Sequence, residues 1–265
     1  RYKEKLFFSS FKIKKNINKK LIWFHAASIG ELKSVIPLIK IINEKKKCDF
    51  LITTTTLSSS KLFLREFNNK ENIKHRFFPI DKLKLVKEFL SCWSPNLIIF
   101  VDSEIWPNFL LEINKNKIPL VLLNARITKK TFSRWIIISK IAKKIFQTFD
   151  LCLASSNESK KYLENLNVKN VKYIGNLKLA SNNTLENLSS NNEDLPGSKK
   201  FWCCMSIHEG EDIFCLETHI KIKKVHQEVT TIIIPRHIER VKNIESLCQK
   251  LNLKSQILSE DGLIS

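Results

Sequence analysis

Glycine is scarce, five in 265 residues, and neither a G-x-G-x-x-G nor a G-x-x-x-x-G-K-[ST] string occurs. Those glycines let a backbone close on a pyrophosphate or a P-loop phosphate, so both common nucleotide signatures are excluded. The seven cysteines (Cys48, Cys92, Cys152, Cys203, Cys204, Cys215, Cys248) form no C-x-x-C pair. That scatter argues against cysteine-held metal and for reduced thiols in a cytosolic setting. No H-E-x-x-H is present, and the nearest string, His208-Glu-Gly-Glu-Asp212, lacks the second histidine. No apolar run reaches the roughly eighteen residues that a membrane-spanning helix needs.

Negative charge is also in deficit. Against 45 Lys and Arg stand 26 Asp and Glu, a formal charge of +19. The lysines are spread along the chain among Ile and Asn rather than gathered in one block. Two readings stay open: drift in residue usage, and attraction to a polyanion, either nucleic acid or an anionic membrane surface. Residues 1–20, rich in Lys and carrying Phe7, Phe8 and Phe11, read equally as a basic juxtamembrane stretch or a frayed polar lead-in. They lack the apolar centre and cleavage site of a signal peptide.

What is present is alternation. Apolar runs of strand length at Leu21–His25, Phe50–Thr54, Lys74–Phe78, Asn96–Val101, Pro119–Leu123, Leu151–Ala154 and Val171–Ile174 are separated by stretches of helical period such as Leu32, Val35, Ile36, Ile39 and Ile42. Near-continuous apolar strands between helices predict an α/β fold with a parallel sheet covered on both faces. Residues 181–200, SNNTLENLSSNNEDLPGSKK, read as a linker or surface loop, dividing a domain at 21–180 from a second at 201–265. The second shows strands at Phe201–Met205 and Thr230–Ile234, helices from about Glu211 and over Glu239–Leu251, and a further strand at Gln256–Leu258. A doubly wound domain has about five or six strands, so this one reads as truncated and the chain as a fragment.

Ligands of open parallel sheets bind at the carboxyl ends of strands, and four loops there carry chemistry. In His25-Ala-Ala-Ser-Ile-Gly-Glu31, small residues allow close approach, Gly30 permits unusual dihedrals, and Glu31 falls in a first helical turn. There it acts either as a base toward a sugar hydroxyl or, with Ser28 as N-cap, as half of a capping box. Thr53-Thr54-Thr55-Thr56 offers hydroxyls to a phosphate or sugar, or ends a strand and caps a helix. Asp102-Ser-Glu104-Ile-Trp-Pro-Asn108 places two carboxylates at a strand end, or caps a helix through Asp102 or Ser103 with Trp106 in the core. Arg126, in Asn124-Ala-Arg126, suits a phosphate or carboxylate. Arg134 and Trp135 then open a helix in which Ile136–Ile138, Ile141, Ile145 and Phe146 are interspersed with Lys140, Lys143 and Lys144. It reads first as a core-facing helix, second as one lying on anionic lipid. In the second half, Ser206, His208, Glu209, Glu211, Arg236 and His237 stand at two strand ends, suited either to an anionic nucleotide or to capping and solvated charge.

Taken together and in order, His25–Glu31, Thr53–Thr56, Asp102–Asn108, Asn124–Arg126, Gly175–Lys178, His208–Glu211 and Pro235–His237 resemble the bacterial transferases of 3-deoxy-D-manno-octulosonic acid (Kdo), whose pattern runs H-A-x-S-x-G-E, T-T-T-T, E-T-E-x-W-P-N, N-A-R, G-N-L-K, H-E-G-E, P-R-H. The resemblance implies a GT-B type fold of two Rossmann-like doubly wound parallel-sheet domains. It implies inverting transfer of Kdo from CMP-Kdo to a lipid A precursor, with no metal or other cofactor, at the cytoplasmic face of the bacterial inner membrane. By the same resemblance Glu31 is the catalytic base and Glu104 assists it. Ser28, Gly30, Thr54, Thr55, Asp102 and Arg126 then serve the acceptor, and Ser206, His208, Glu209, Glu211, Arg236 and His237 serve the donor. Partners are CMP-Kdo, the lipid A precursor and an anionic membrane surface; no nucleic acid is expected. The sequence departs from the pattern at Asp102, where the family has Glu, and at Leu179-Ala180, where it has Phe-Asp. The later G-G-H-N and E-P strings and an amino-terminal anchor are absent from the 265 residues. The rival readings are a GT-B enzyme using another sugar nucleotide, and a basic protein that adheres to nucleic acid or membrane without catalysis.

Overall fold

The structure is a computed structural model and describes residues 2–6, 19–68, 70–180, 200–259 and 262–264. The chain forms two compact units, Arg1–Leu188 and Ser189–Ser265. The 181–199 segment read as a linker, and Phe7, Phe8 and Phe11, lie outside the described residues.

In the first unit, seven strands form one sheet in the order β3-β2-β1-β4-β5-β6-β7. They are β1 (Lys20–His25), β2 (Cys48–Thr54), β3 (Ile73–Phe77), β4 (Leu97–Val101), β5 (Leu120–Ala125), β6 (Leu151–Ala154) and β7 (Val171–Tyr173). Every pairing is parallel. Consecutive strand residues enter opposite cores. Trp23, Leu51, Ile98 and Phe100 belong to one cluster, and Phe24, Phe50, Ile52, Ile99 and Val101 to the other. Both faces are therefore buried, which is why the strands read as unbroken apolar runs rather than as alternation.

Helices α2 (Ile29–Lys45) and α3 (Leu57–Phe67) cover the second cluster through Leu32, Val35, Ile36, Ile39, Leu62, Phe63 and Phe67. Helices α4 (Leu83–Trp93), α5 (Pro107–Lys115), α7 (Ser139–Phe146) and α8 (Asn157–Asn165) cover the first. Between β5 and α7 lies α6 (Lys129–Ile137), and α9 (Leu177–Ala180) follows β7. Within the lead-in, α1 (Tyr2–Leu6) is held rather than frayed, because the Phe77 N–H on edge strand β3 donates to the Glu4 carboxylate at 2.8 Å.

Strand order reverses direction between β1 and β4: the chain moves outward through β2 and β3, returns, and then winds the other way. In such sheets the crevice at the carboxyl ends of the two central strands is where ligands bind. Here it lies between the loops after His25 and after Val101.

The second unit pairs β8 (Phe201–Ile207) with β9 (Thr230–Pro235), parallel, with α10 (Glu211–Lys223) and α11 (Val241–Lys250) packed on one face. A 3-10 turn at Ile238–Arg240 leads into α11, which therefore starts two residues later than the sequence predicts. Its core is small: Cys204, Ile207, Leu216, Ile244 and Cys248. The strand expected at Gln256–Leu258 is β10 (Ile257–Ser259), which joins no parallel sheet but forms an antiparallel hairpin with β11 (Gly262–Ile264).

Candidate active site

The loop after β1 holds Glu31 in two ways at once. Ser28 is the N-cap of α2 and its hydroxyl accepts the Glu31 N–H at 3.3 Å. The Glu31 carboxylate accepts the Ala27 N–H at 2.7 Å and the Ser28 hydroxyl at 2.8 Å. The capping reading and the base reading therefore describe one geometry. A carboxylate fixed by two donors, at a helix N-terminus and only 9% exposed, keeps one rotamer and still has free lone pairs. Burial raises its pKa above the usual 4.5; the bonds from Ser28 and Ala27 oppose this, and the nearby Glu104 and Asp102 carboxylates add to it. Gly30 has an ordinary helical φ, so unusual dihedrals are not its purpose. A Cβ there would meet only Lys178 and Ser28, both at 4.0 Å, so its bare backbone leaves open space beside Glu31.

Across the crevice, Glu104 accepts the Trp106 indole N–H at 2.6 Å and a bond from His25 Nε2 at 3.0 Å. Burial alone would raise the Glu104 pKa, but the hydrogen bond and electrostatic pull of His25, with the bond from Trp106, hold it below the usual value. An ionised Glu104 accepts only, so the His25 proton on that side sits on Nε2. His25 is fully buried, stacked on Phe78 at 3.8 Å, and its Nδ1 meets the Thr53 carbonyl at 3.2 Å and hydroxyl at 3.0 Å. The Trp23 indole N–H fixes that hydroxyl in turn, at 2.8 Å. A chain of four side chains thus runs from the core to the crevice.

The threonine string works mostly inward. Thr54 is fully buried, its hydroxyl bonded to His75 at 2.9 Å, which leaves no surface for an acceptor to touch. Thr55 donates to the Ala27 carbonyl at 2.8 Å and so holds the Glu31 loop, and Thr56 caps α3. Neither Asp102 nor Ser103 caps α5. Asp81, from the loop before α4, does so by accepting the Asn108 and Phe109 N–H groups at 3.1 and 3.0 Å. Trp106 is only half-buried and packs at the edge of the core rather than within it.

Asp102 is nearly buried and has a left-handed backbone, φ 66°, a conformation Asp tolerates better than most residues. That supplies a reason for Asp where the family pattern has Glu. Its carboxylate pairs with Lys178 at 2.6 Å. Asn124, φ 55°, lies where β5 slips register against β6 and accepts the Leu177 N–H at 2.9 Å. The Gly175–Lys178 string thereby laces the ends of β4, β5 and β7. Lys178→Met, which keeps the stem and removes the charge, is expected to cost about 1–3 kcal/mol in urea unfolding, because Asp102 loses a charged partner in a nearly buried place. Arg126, exposed, is tied by its backbone to Asp102, and its carbonyl accepts the Ser103 hydroxyl at 2.9 Å.

In the second unit, Ser206, His208, Glu209, Glu211, Arg236 and His237 are all exposed at the carboxyl ends of β8 and β9. Ser206 has φ 59° at a register shift against β9; the His208 N–H donates to Glu211 at 2.6 Å; the Arg236 N–H bonds the Ile207 carbonyl at 2.9 Å. Capping and ligand-facing readings again coexist. Beside them is a groove of about 410 Å³ lined by Glu209, Gly210, Asp212, Arg240, Asn243 and Lys250. Within it Asp212, 3% exposed, pairs with Arg240 at 2.5 Å. His25, Thr53, Trp106 and Lys178 hold site residues in place, and none of the four was given that role from sequence. A positive φ and a distant partner leave no local sequence signal, although His25, Thr53, Trp106 and Lys178 stand inside recognisable strings.

Residues 1–181 match the family described as 3-Deoxy-D-manno-octulosonic-acid transferase (kdotransferase). Among curated relatives, a 3-deoxy-D-manno-octulosonic acid transferase of Rickettsia felis is 31% identical over 252 residues, 92% of this chain and 53% of that protein. The one of Haemophilus influenzae is 26% identical over 238 residues, 86% of this chain and 55% of that protein. The chain therefore spans about half the length of the curated relatives it matches. Among solved structures, the UDP-GlcNAc 2-epimerase of Neisseria meningitidis bound to UDP-GlcNAc aligns with a TM-score of 0.63 at 16% identity, over 89% of this chain and 70% of that one. That likeness is one of fold, the α/β, GT-B type. With its family match extending from the first residue through the whole Glu31–Glu104 crevice, the chain belongs to the 3-deoxy-D-manno-octulosonic acid transferase family.

Proposed function

We propose that the chain carries the acceptor-side site of an inverting glycosyltransferase that moves Kdo from CMP-Kdo to a lipid A precursor, with Glu31 as general base. The observation that carries this is the pairing of two differently tuned carboxylates in the switch-point crevice. Glu31 is pushed up by burial, and Glu104 is held ionised by His25 and Trp106. Opposed tuning of neighbouring carboxyls separates their roles. Glu104 stays negative and makes Glu31 the stronger base; Glu31 takes the proton.

In the step, Glu31 accepts the proton of an acceptor hydroxyl as that oxygen bonds to the anomeric carbon of Kdo. The bond from that carbon to the CMP phosphate oxygen breaks, and CMP leaves with the electron pair. Arg126 and Lys178 are the cations of the acceptor side. Arg236, His237 and the N-terminus of α10 in the second unit suit the phosphate of the donor. No metal is required by this scheme. Because the acceptor is a lipid, the enzyme works at an anionic membrane surface, the cytoplasmic face of the inner membrane.

The test is transfer by the full-length gene product, with CMP-Kdo beside UDP- and GDP-sugars as donors and a lipid A precursor as acceptor, the anomeric configuration of the product read by NMR. Kdo transfer with inversion is expected. Transfer from another nucleotide sugar instead, or retention, would overturn the reading.

A further inference from the structure

The helical segment after Arg126 is the most unevenly charged stretch described. Between Arg126 and Phe149 stand six Lys and Arg and no Asp or Glu. α6 buries none of its residues completely. Its inner side is fastened by Phe132, stacked on Tyr162 at 4.4 Å, and by Trp135, edge-on to Phe146 at 5.3 Å. Its outer end shows isoleucine: Ile136 is 43% exposed, Ile137 82%, Ile138 44% and Ile141 57%. Ile137 ends α6, Ile138 stands at the break before α7 with φ −110° and ψ 43°, and the Ile141 N–H bonds the Ile138 carbonyl at 3.0 Å, so the exposed isoleucines gather at the junction of the two helices. Around them Lys129, Lys130, Arg134, Lys140, Lys143 and Lys144 are all exposed. The expectation of an ordinary core-facing helix thus fails for residues 136–141, whereas Ala142, Ile145 and Phe146 on the other side of α7 do enter the core.

We infer that the α6–α7 surface docks on an anionic phospholipid bilayer, with Ile137, Ile138 and Ile141 entering the acyl boundary and the six cations meeting the headgroups. Isoleucine gains by entering hydrocarbon, and a cationic rim gains on an anionic leaflet, so the two halves of the patch call for one partner. Nucleic acid would answer the cations alone: the exposed apolar residues are aliphatic, with none of the stacking platforms that single strands use. No described helix is long and apolar enough to cross a membrane. The segment that carries the patch starts three residues after Arg126, at the carboxyl end of β5, where the acceptor-side crevice also lies.

The inference rests on the proposed lipid-borne acceptor only for its purpose, and the experiment separates the two. Flotation of the full chain with phosphatidylcholine vesicles, with and without phosphatidylglycerol, reads docking without catalysis. Transfer to acceptor dispersed in detergent reads catalysis without docking. The wild-type chain is expected to float with the mixed vesicles. Ile137→Ser with Ile141→Ser is expected to lower partitioning by about tenfold or more, since two buried isoleucines are withdrawn. Lys140→Gln, Lys143→Gln and Lys144→Gln together, half of the six cations, are expected to weaken both binding and its salt dependence. Leu64→Ser, at a leucine 55% exposed on α3, serves as the control for general stickiness and is expected to change nothing. Equal flotation of wild type and the isoleucine double variant, both folded by circular dichroism, would overturn the inference. So would binding to single-stranded RNA that the lysine variant loses and the isoleucine variant keeps, with no flotation of the wild type.

Discussion

Replacing Glu31 by Gln is expected to lower Kdo transfer by about 10²–10⁴-fold, the usual worth of a positioned general base, with little change in the KM for donor. Gln fills the same volume. Its carbonyl can still accept the Ala27 N–H; the Ser28 hydroxyl loses the carboxylate oxygen it donates to and faces the amide NH2 instead, but still caps α2 through the residue 31 backbone N–H. The variant should fold at least as well as wild type at neutral pH. A carboxyl whose folded pKa is raised contributes stability below its unfolded pKa and loses it as pH rises through the folded value. The amide removes that loss. A fall in rate without a fall in stability isolates the proton-transfer role, and it is measured as single-turnover transfer beside a urea titration.

The largest effect on folding is expected from Trp23→Ala, about 3–5 kcal/mol for the emptied volume. Trp23 is fully buried, with Phe78, Phe89, Phe100 and Phe109 at centroid distances of 6.1, 4.9, 5.5 and 5.6 Å. Aromatic pairs of this kind add to area burial, and four of them surround one indole. Such a loss is a large share of the 5–15 kcal/mol that holds a typical domain, and Tm should fall by about 10 °C or more. Leu57→Ala, at a leucine 57% exposed, should change stability by less than about 0.5 kcal/mol. Because the indole N–H also fixes Thr53, and Thr53 fixes His25, whatever fraction of Trp23→Ala remains folded should transfer more slowly as well.

The sheet was legible because every central strand is buried on both faces, and a run such as Leu97–Val101 advertises that directly. Where a strand's end is shaped by a partner far away in sequence, the reading stopped short. β5 continues through Asn124 and Ala125, polar and small, since Asn124 turns left-handed to receive the Leu177 N–H. Helix α6 begins at Lys129, five residues before the Arg134 expected to open it. Thr128 caps it there, and Lys129–Lys130 carry no periodicity that would show it. The capping of α5 by Asp81 and the pairing of Asp102 with Lys178 join loops 27 and 76 positions apart. In the crevice, Ser28 and Glu31 were readable as a cap from spacing, but their place opposite Glu104 depends on β1 and β4 being neighbours, which only the strand order shows. The same limit applies to Ile136–Ile141: composition shows the apolar stripe, and packing decides which side faces out.

The pH dependence of kcat/KM, measured for wild type, Ser28→Ala, Glu104→Gln and Glu31→Gln, tests the central claim most directly. Glu31 must be ionised to act, so the wild-type rate should fall on the acid side with a midpoint above the usual carboxylate value of 4.5. Ser28→Ala removes a bond to the ionised form and should move that midpoint up. Glu104→Gln removes a neighbouring negative charge and should move it down. Glu31→Gln should be slow and lack the limb altogether. An acid limb that stays in place in the first two variants and persists in Glu31→Gln would belong to another group, and Glu31 would not be the base.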